Sequence, residues 1–538
     1  MSTAIDLARR VLARGGAGIE HDAPRIGPAH LAAWLTEGRA VGRPVVRAMA
    51  LAVGIVPFAA YATLILYHFY IRGSFLWDSG LLAFLIGASD PRLPVPPIMA
   101  DGSFFAIHVA PIFVALSPIR SLLPLTGLQF FALFSGLCHA LPALAVFWVL
   151  YSGYRLRTPL GVGVAAVLAL AFSFNGLALA IARYPHFEML IVGTALLFFV
   201  ALLQGRLAVA AICFAICLAT REDAGFHLFA ILFLLIGLNR WRGIGWHEQR
   251  HEIGFALFAL AYSIGALILQ HALFDHQSSF ARIYLGEPPF GKISLALLRE
   301  RLLGYLQYRT YIVLPALIAL FWAVRTGNPY LVLGYAGFLP WAALHLVAES
   351  DIAGTLSGYY AYPFLIASFW PLVAVLVERR GRALPSGALP AVFGFAAVIG
   401  ASFTALGYQA NPGHIELPAG FWSAPSLARQ AATDNALGQI VHAKTTLGSV
   451  MVDGSVLGLV PDGFSKSETV WESGGRLPDT VVYFAGAYES QAARTLAAKA
   501  SLDHHYEAHG TAIRLWSRRA VDPASPLGSV LAPAAANE

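Results

Sequence analysis

Runs of apolar residues recur along this chain, and they decide what it can become. A helix needs about 20 such residues to cross the hydrocarbon core of a bilayer. We read such runs near 48–69, 127–151, 159–181, 187–204, 207–220, 224–238, 253–273, 311–325, 329–347, 360–378 and 386–407, which makes eleven. Residues 104–123 are a further apolar stretch, interrupted by Pro111, Ser117, Pro118 and Arg120. It reads as a re-entrant or interfacial segment, or as a twelfth span. Composition points the same way. The 538 residues are 57% hydrophobic and 12% charged, where soluble domains run roughly 45–50% and 25%. Disorder needs the opposite balance and is excluded. Only three cysteines are present, all inside apolar runs, so they read as small packing residues and a disulfide scaffold is excluded. The expected fold class is a polytopic α-helical membrane protein.

The net charge of +6 is a matter of topology, and no nucleic-acid partner is expected. Basic residues are scattered between apolar runs and form no basic face. With the N-terminus cytoplasmic, the connections 152–158, 205–206, 239–252, 325–328 and 379–385 share one side, and each carries arginine. This is the positive-inside pattern. A twelfth span before residue 127 would invert all of these loops, so eleven is preferred, and an odd count puts everything after 408 outside.

Four regions follow. Residues 1–46 are an arginine-rich cytoplasmic tail, with an amphipathic interfacial helix expected around 27–40. Residues 47–408 are the transmembrane domain, with a long outer loop over 70–126 and an amphipathic helix expected at 292–306 in a second outer segment. Residues 409–520 are an extracytoplasmic α/β domain, with a helical pattern at 425–443 and strand-like runs at Ser449–Val452, Thr480–Phe484 and Ala512–Trp516. Residues 521–538, rich in Pro and Ala, are a disordered tail.

Ionisable groups are expensive in lipid, so those at helix ends are the first candidates for chemistry. Five islands share the outer side. Asp78 opens a short apolar run; it serves as an N-cap, or as a general base or metal ligand. Asp101 sits in an Asp-Gly turn and is followed by His108 in an apolar stretch. Arg183, His186 and Glu188 form a dense polar cluster at a span end. Arg221, Glu222 and Asp223 join two apolar runs with almost no loop and so lie near membrane depth, with His227 a turn later; Arg221 suits an anionic group. Glu349 and Asp351, oxygen donors for a divalent cation such as Mg or Mn, precede Tyr359 and Tyr360. Each island also has a structural explanation: a cap, a turn, an anchor or a salt-bridged loop.

In this order the islands resemble the bacterial membrane proteins grouped as domain of unknown function 2079, within the GT-C superfamily of glycosyltransferases. Asp78-Ser79-Gly80 matches an Asp-x-Gly element, and His108-Val109-Ala110-Pro111-Ile112 loosely matches a His-Phe-Ser-Pro-Ile element. His186-Phe187-Glu188 matches His-x-Glu, and Arg221-Glu222-Asp223 matches Lys-Glu-Asp. Tyr359-Tyr360 matches His-Tyr, with Tyr359 in place of the histidine. The resemblance implies a multi-pass protein of the bacterial inner membrane. It would pass a sugar, with inversion, from a polyprenyl-phosphate donor to a glycan or lipid acceptor on the outer face. It makes Asp78 the base or a metal ligand. Arg221 is the phosphate clamp with Arg183 as second choice, and His186, Glu188, Glu222 and Asp223 line the pocket. A transporter or flippase, and a non-enzymatic scaffold, are the competing readings.

Overall fold

The computed structural model describes residues 39–72, 77–88, 90–93, 102–182, 185–274, 281–356, 358–378, 388–402, 424–459, 463–464, 468–470, 476–485 and 490–534, together with Leu35. The expected interfacial helix at 27–40 lies largely outside them.

Among the described residues, four helices are long and apolar enough to cross a membrane: Arg43–Tyr67, Gly127–Gly153, Ala224–Trp241 and His247–Leu273. Two bent pairs bring the number to six if each is one span. Pro159–Ser173 meets Gly176–Ala182 at 44°, and Leu295–Tyr308 meets Thr310–Thr326 at 86°. Met189–Leu203, Leu207–Thr220 and Ala391–Ser402 are apolar but shorter. By length, then, the described residues do not reach eleven crossing helices.

The apolar runs are broken by local chemistry. Asn175 donates to the Phe172 carbonyl at 2.7 Å and accepts the Ala178 N–H at 2.9 Å, which stops one helix and starts the next. The run at 329–347 contains Pro329, Gly334, Gly337 and Pro340. It becomes a 3-10 turn, Pro329–Val332, and two short helices, Leu333–Gly337 and Leu339–Leu346. The stretch 104–123 yields a 3-10 turn, Phe104–Ala106, and the 11-residue helix Pro111–Ser121, too short to span. The amphipathic helix expected at 292–306 is present as Leu295–Tyr308.

Gly127–Gly153 is the most enclosed of the four long helices. Small residues bring its neighbours close, as is usual where lipid offers helices no hydrophobic incentive to associate. A Cβ on Gly136 would lie 2.5 Å from the Phe58 carbonyl oxygen, and one on Gly193 would lie 2.4 Å from Leu141 Cβ. These contacts leave no room for a methyl group.

Beyond the helical part, a five-stranded sheet runs in the order β1 (Val450–Val452), β2 (Thr480–Phe484), β4 (Ile513–Ser517), β3 (His504–Ala508), β5 (Leu531–Pro533). The β1–β2 pair is parallel and the others are antiparallel. Helices Ala424–His442 and Ser490–Lys499 accompany it. Strand β5 falls in the stretch expected to be a disordered tail. There Asp522 organises a turn through the Ala524 N–H and the Ser525 hydroxyl, Leu527 and Leu531 are buried, and the chain pairs with β3. Two leucines in a Pro/Ala-rich tail are enough to fasten it to an open sheet edge. Residues 535–538 lie outside the described residues.

This α/β unit packs on the helical part. The Tyr70 hydroxyl donates to Asp434 Oδ1 at 2.9 Å. A Cβ on Gly458 would meet the Phe69 ring at 2.7 Å and Gly80 Cα at 3.0 Å. The unit therefore rests on the end of the first long helix and on Trp77–Ala88, the helix that bears Asp78.

Gly136→Ala should destabilise the fold by about 1–3 kcal/mol, the range for overpacking a tight contact. Gly163→Ala, where a Cβ meets nothing within 4 Å, should be neutral or stabilising. Thermal unfolding of the two variants in the same detergent checks this; equal melting temperatures would contradict it.

Candidate active site

Helix Leu207–Thr220 ends at Arg221, whose backbone is extended (φ −160°, ψ 151°). After one turn, helix Ala224–Trp241 begins. That tight junction holds three consecutive charges against the rest of the bundle. The Arg221 fork grips Asp223 in a bidentate pair, with Nε to Oδ1 at 2.8 Å and Nη2 bonded to Oδ2. Its Nη1 donates to Glu188 Oε1 at 2.5 Å. Glu222 stands 3.9 Å from Nε. It turns its oxygens to His108 Nδ1 and to the Val109 N–H, each at 2.9 Å. The other Glu188 oxygen meets His186 Nδ1. One helical turn past Asp223, His227 Nε2 lies 3.7 Å from the Asp223 carboxylate. Glu188 is wholly buried, and Arg221, Glu222, His186 and His227 are all under a tenth exposed.

An aromatic wall closes one side. The His186 ring stacks on Tyr359 with centroids 4.0 Å apart and planes at 15°, and Tyr359 stacks on Tyr360. Behind them His345 is fixed by the Ala353 carbonyl at Nδ1, 2.7 Å, and faces the Tyr284 hydroxyl at Nε2, 3.3 Å. His227 meets the ring of Trp341 edge-on.

The electrostatics are lopsided. One guanidinium faces three carboxylates, so with neutral imidazoles the cluster carries two excess negative charges. Burial, with the Arg221 guanidinium nearby, pushes the His186 pKa well below its usual value. The His186 ring faces the second Glu188 oxygen through Nδ1. The remaining carboxylates are each faced by an imidazole, His108 on Glu222 and His227 on Asp223. Such pairs can hold and pass a proton in an enclosed site.

The cluster thus draws together His108, His186, Glu188, Arg221, Glu222, Asp223 and Tyr359, with Tyr360 behind. Asp101 and Arg183 lie outside the described residues. Asp78 is in the first turn of its helix, but its side chain is outside the described part. Its neighbour Ser79 donates to the Pro185 carbonyl at 2.9 Å, which fastens that helix start to the segment bearing His186. Glu349 and Asp351, expected to share a cation, are instead split between two basic side chains. Glu349 pairs with Lys292 at 2.9 Å, and the exposed Asp351 pairs with Arg301 at 3.1 Å. Among the described residues no group of three or more His, Cys, Asp or Glu has metal-binding geometry. Arg221, expected as the phosphate clamp, has its fork filled by Asp223 and Glu188. Three adjacent charges at a tight buried junction satisfy one another first.

The expected site set omits Ser79, Tyr284, Trp341, His345 and His227. The position of His227, four residues after Asp223 on one helix face, is a legible signal. Tyr284, Trp341 and His345 have none, because only the fold brings them to the cluster.

No family model matches the chain, and no curated protein matches it. The resemblance to the domain of unknown function 2079 proteins therefore rests on the motifs alone. Among solved structures, the chain is similar to ArnT from Cupriavidus metallidurans, crystallised bound to undecaprenyl phosphate. The two are 12% identical with a TM-score of 0.46, over 89% of this chain and 99% of that one. A likeness of that degree carries nothing over to the residues of the site.

Removing one member of a buried ion network leaves charges uncompensated, which costs roughly 3–5 kcal/mol. Arg221→Ala should therefore destabilise by that amount. Asp223→Ala should cost clearly less in the Arg221→Ala background than alone. A double-mutant cycle on unfolding midpoints reads the coupling; additive effects would show that the pair is not energetically joined.

Proposed function

We propose that this chain is a membrane glycosyltransferase of the GT-C type. It takes a sugar from a polyprenyl-phosphate donor and passes it, with inversion, to a glycan or lipid acceptor on the extracytoplasmic face of a bacterial inner membrane. One observation carries the reading. Segments far apart in sequence, at 108, 186–188, 221–227 and 359, converge on one buried charged network at the ends of apolar helices. That network lies beside the helix start that bears Asp78. Burying such a network gains a fold little stability, since packed apolar residues serve as well or better. Its cost is understandable where chemistry uses it. Placement at the end of apolar helices suits a substrate whose phosphate sits at the headgroup level while its chain stays in lipid.

In this reading the acceptor hydroxyl attacks the sugar C1 in line as the C1–O bond to the lipid phosphate breaks. The hydroxyl proton goes to the Asp78 carboxylate, and polyprenyl phosphate leaves. Arg221 acts as a positioning residue: it spreads Glu188 and Asp223 into fixed places. Arg183, two residues before the Pro185 that Ser79 holds, is the cation proposed to meet the leaving phosphate. His186, stacked on Tyr359, shapes the wall against which the sugar lies. A divalent cation is not needed for this scheme, and adding chelator tests that directly.

Asp78→Asn should lower transfer from a panel of polyprenyl-phosphate sugars by about 10²–10⁴-fold, the usual worth of a general base, with donor binding retained. Folded Asp78→Asn protein turning over normally would remove the base from Asp78. No turnover by the wild-type chain across the panel would remove the activity. The three His–carboxylate pairs, His108–Glu222, His186–Glu188 and His227–Asp223, favour one other reading, proton-coupled transport. Pumping of protons with a solute in sealed vesicles, without sugar transfer, would establish it.

A further inference from the structure

At the other end of helix Ala224–Trp241 lies a second feature that the proposed reaction does not use. Eighteen residues at 1.5 Å each separate it by about 27 Å from Asp223, so it faces the opposite membrane boundary. There a groove of about 430 Å³ opens between the end of this helix and the end of Thr310–Thr326. Leu320, Ala323, Val324 and Val332 line its apolar part, and Trp241 and Arg242 stand at its rim. The Trp241 indole is 81% exposed, as befits an interfacial anchor. The Arg242 guanidinium lies over the Tyr330 ring, 4.5 Å from its centroid. That contact occupies one face of the guanidinium and leaves its N–H edges available. Among the described residues no carboxylate pairs with Arg242. The nearest acidic residue in sequence, Glu248, accepts the Gly245 N–H at 3.2 Å. Arg240, over the Trp246 ring, and Arg325 add positive charge to the same pair of helix ends.

We propose that this groove is a binding site for an anionic phospholipid of the membrane leaflet opposite the charged cluster. An acyl chain fills the apolar part, and the headgroup phosphate bonds to the free edge of Arg242. The occupant follows from charge and shape. An apolar floor alone would take any lipid, whereas an unpaired arginine beside an exposed interfacial tryptophan selects a negative headgroup. A single arginine at a membrane surface changes affinity for such a headgroup by about fivefold.

The test uses the purified full chain in detergent micelles, titrated with phosphatidylglycerol or phosphatidylcholine brominated on the acyl chains. Bromine quenches nearby tryptophan, and the part due to Trp241 is the difference between wild type and Trp241→Phe. Phosphatidylglycerol should quench that part at about fivefold lower concentration than phosphatidylcholine. Arg242→Gln should erase the preference, and Val324→Trp, which fills the groove, should abolish the quenching of Trp241 at low lipid. Equal quenching by the two lipids in the wild type, or a preference that survives Arg242→Gln, would overturn the proposal. Sugar transfer plays no part in the readout, so the result stands apart from the proposed reaction.

Discussion

The bidentate grip of Arg221 on Asp223, with Glu188 on the third nitrogen, is the contact on which the charged cluster depends. A guanidinium withdrawn from water among carboxylates must satisfy its donors within the protein. Here it does so across two parts of the chain, Glu188 before helix Met189–Leu203 and Asp223 before helix Ala224–Trp241. Those two helix starts are thereby held in one place. Glu222, from the same triplet, reaches the other way, and its grip on His108 and the Val109 N–H pins their segment to the cluster. Ser79 completes the arrangement from helix Trp77–Ala88 by bonding the Pro185 carbonyl. The charges thus act as a joint between segments that share no sequence proximity.

The α/β unit bears on this joint indirectly. It contacts Phe69, Tyr70 and Gly80, which lie on either side of Asp78, so the helix that bears Asp78 lies between the sheet unit and the segment that bears His186. Gly80 permits that approach because the backbone itself, with no side chain, meets Gly458. A sheet domain placed this way gives helix Trp77–Ala88 a fixed backing.

Much of this layout was legible in the sequence, and the failures have physical causes. The polar triplets stood out because charges between apolar runs are costly, and the structure joins four of the islands. Strands β1, β2 and β4 fell where β-branched and aromatic runs placed them. The span count was less legible, because hydropathy records apolar character and not helix continuity. Asn175 ends a helix inside an apolar run, and Pro and Gly divide 329–347. The pairing of Arg221 was not legible for another reason. A triplet read as separate charges says nothing of how they pair, and in a tight junction the nearest carboxylate takes the fork. Glu349 and Asp351 looked like cation ligands until Lys292 and Arg301, some fifty residues away, supplied their counter-charges. Strand β5 hid in a Pro/Ala-rich tail whose two leucines gain meaning only beside an open sheet edge.

The central claim is that the charged network at the helix ends receives a polyprenyl-phosphate substrate. Photo-crosslinking tests it most directly, with a polyprenyl phosphate carrying a diazirine on the first isoprene unit and peptide mapping of the adducts. The account predicts adducts concentrated in the segments around 183–188 and 221–228, suppressed by excess unlabelled lipid. Adducts spread over the lipid-facing helices, or confined to segments remote from the network, would contradict it.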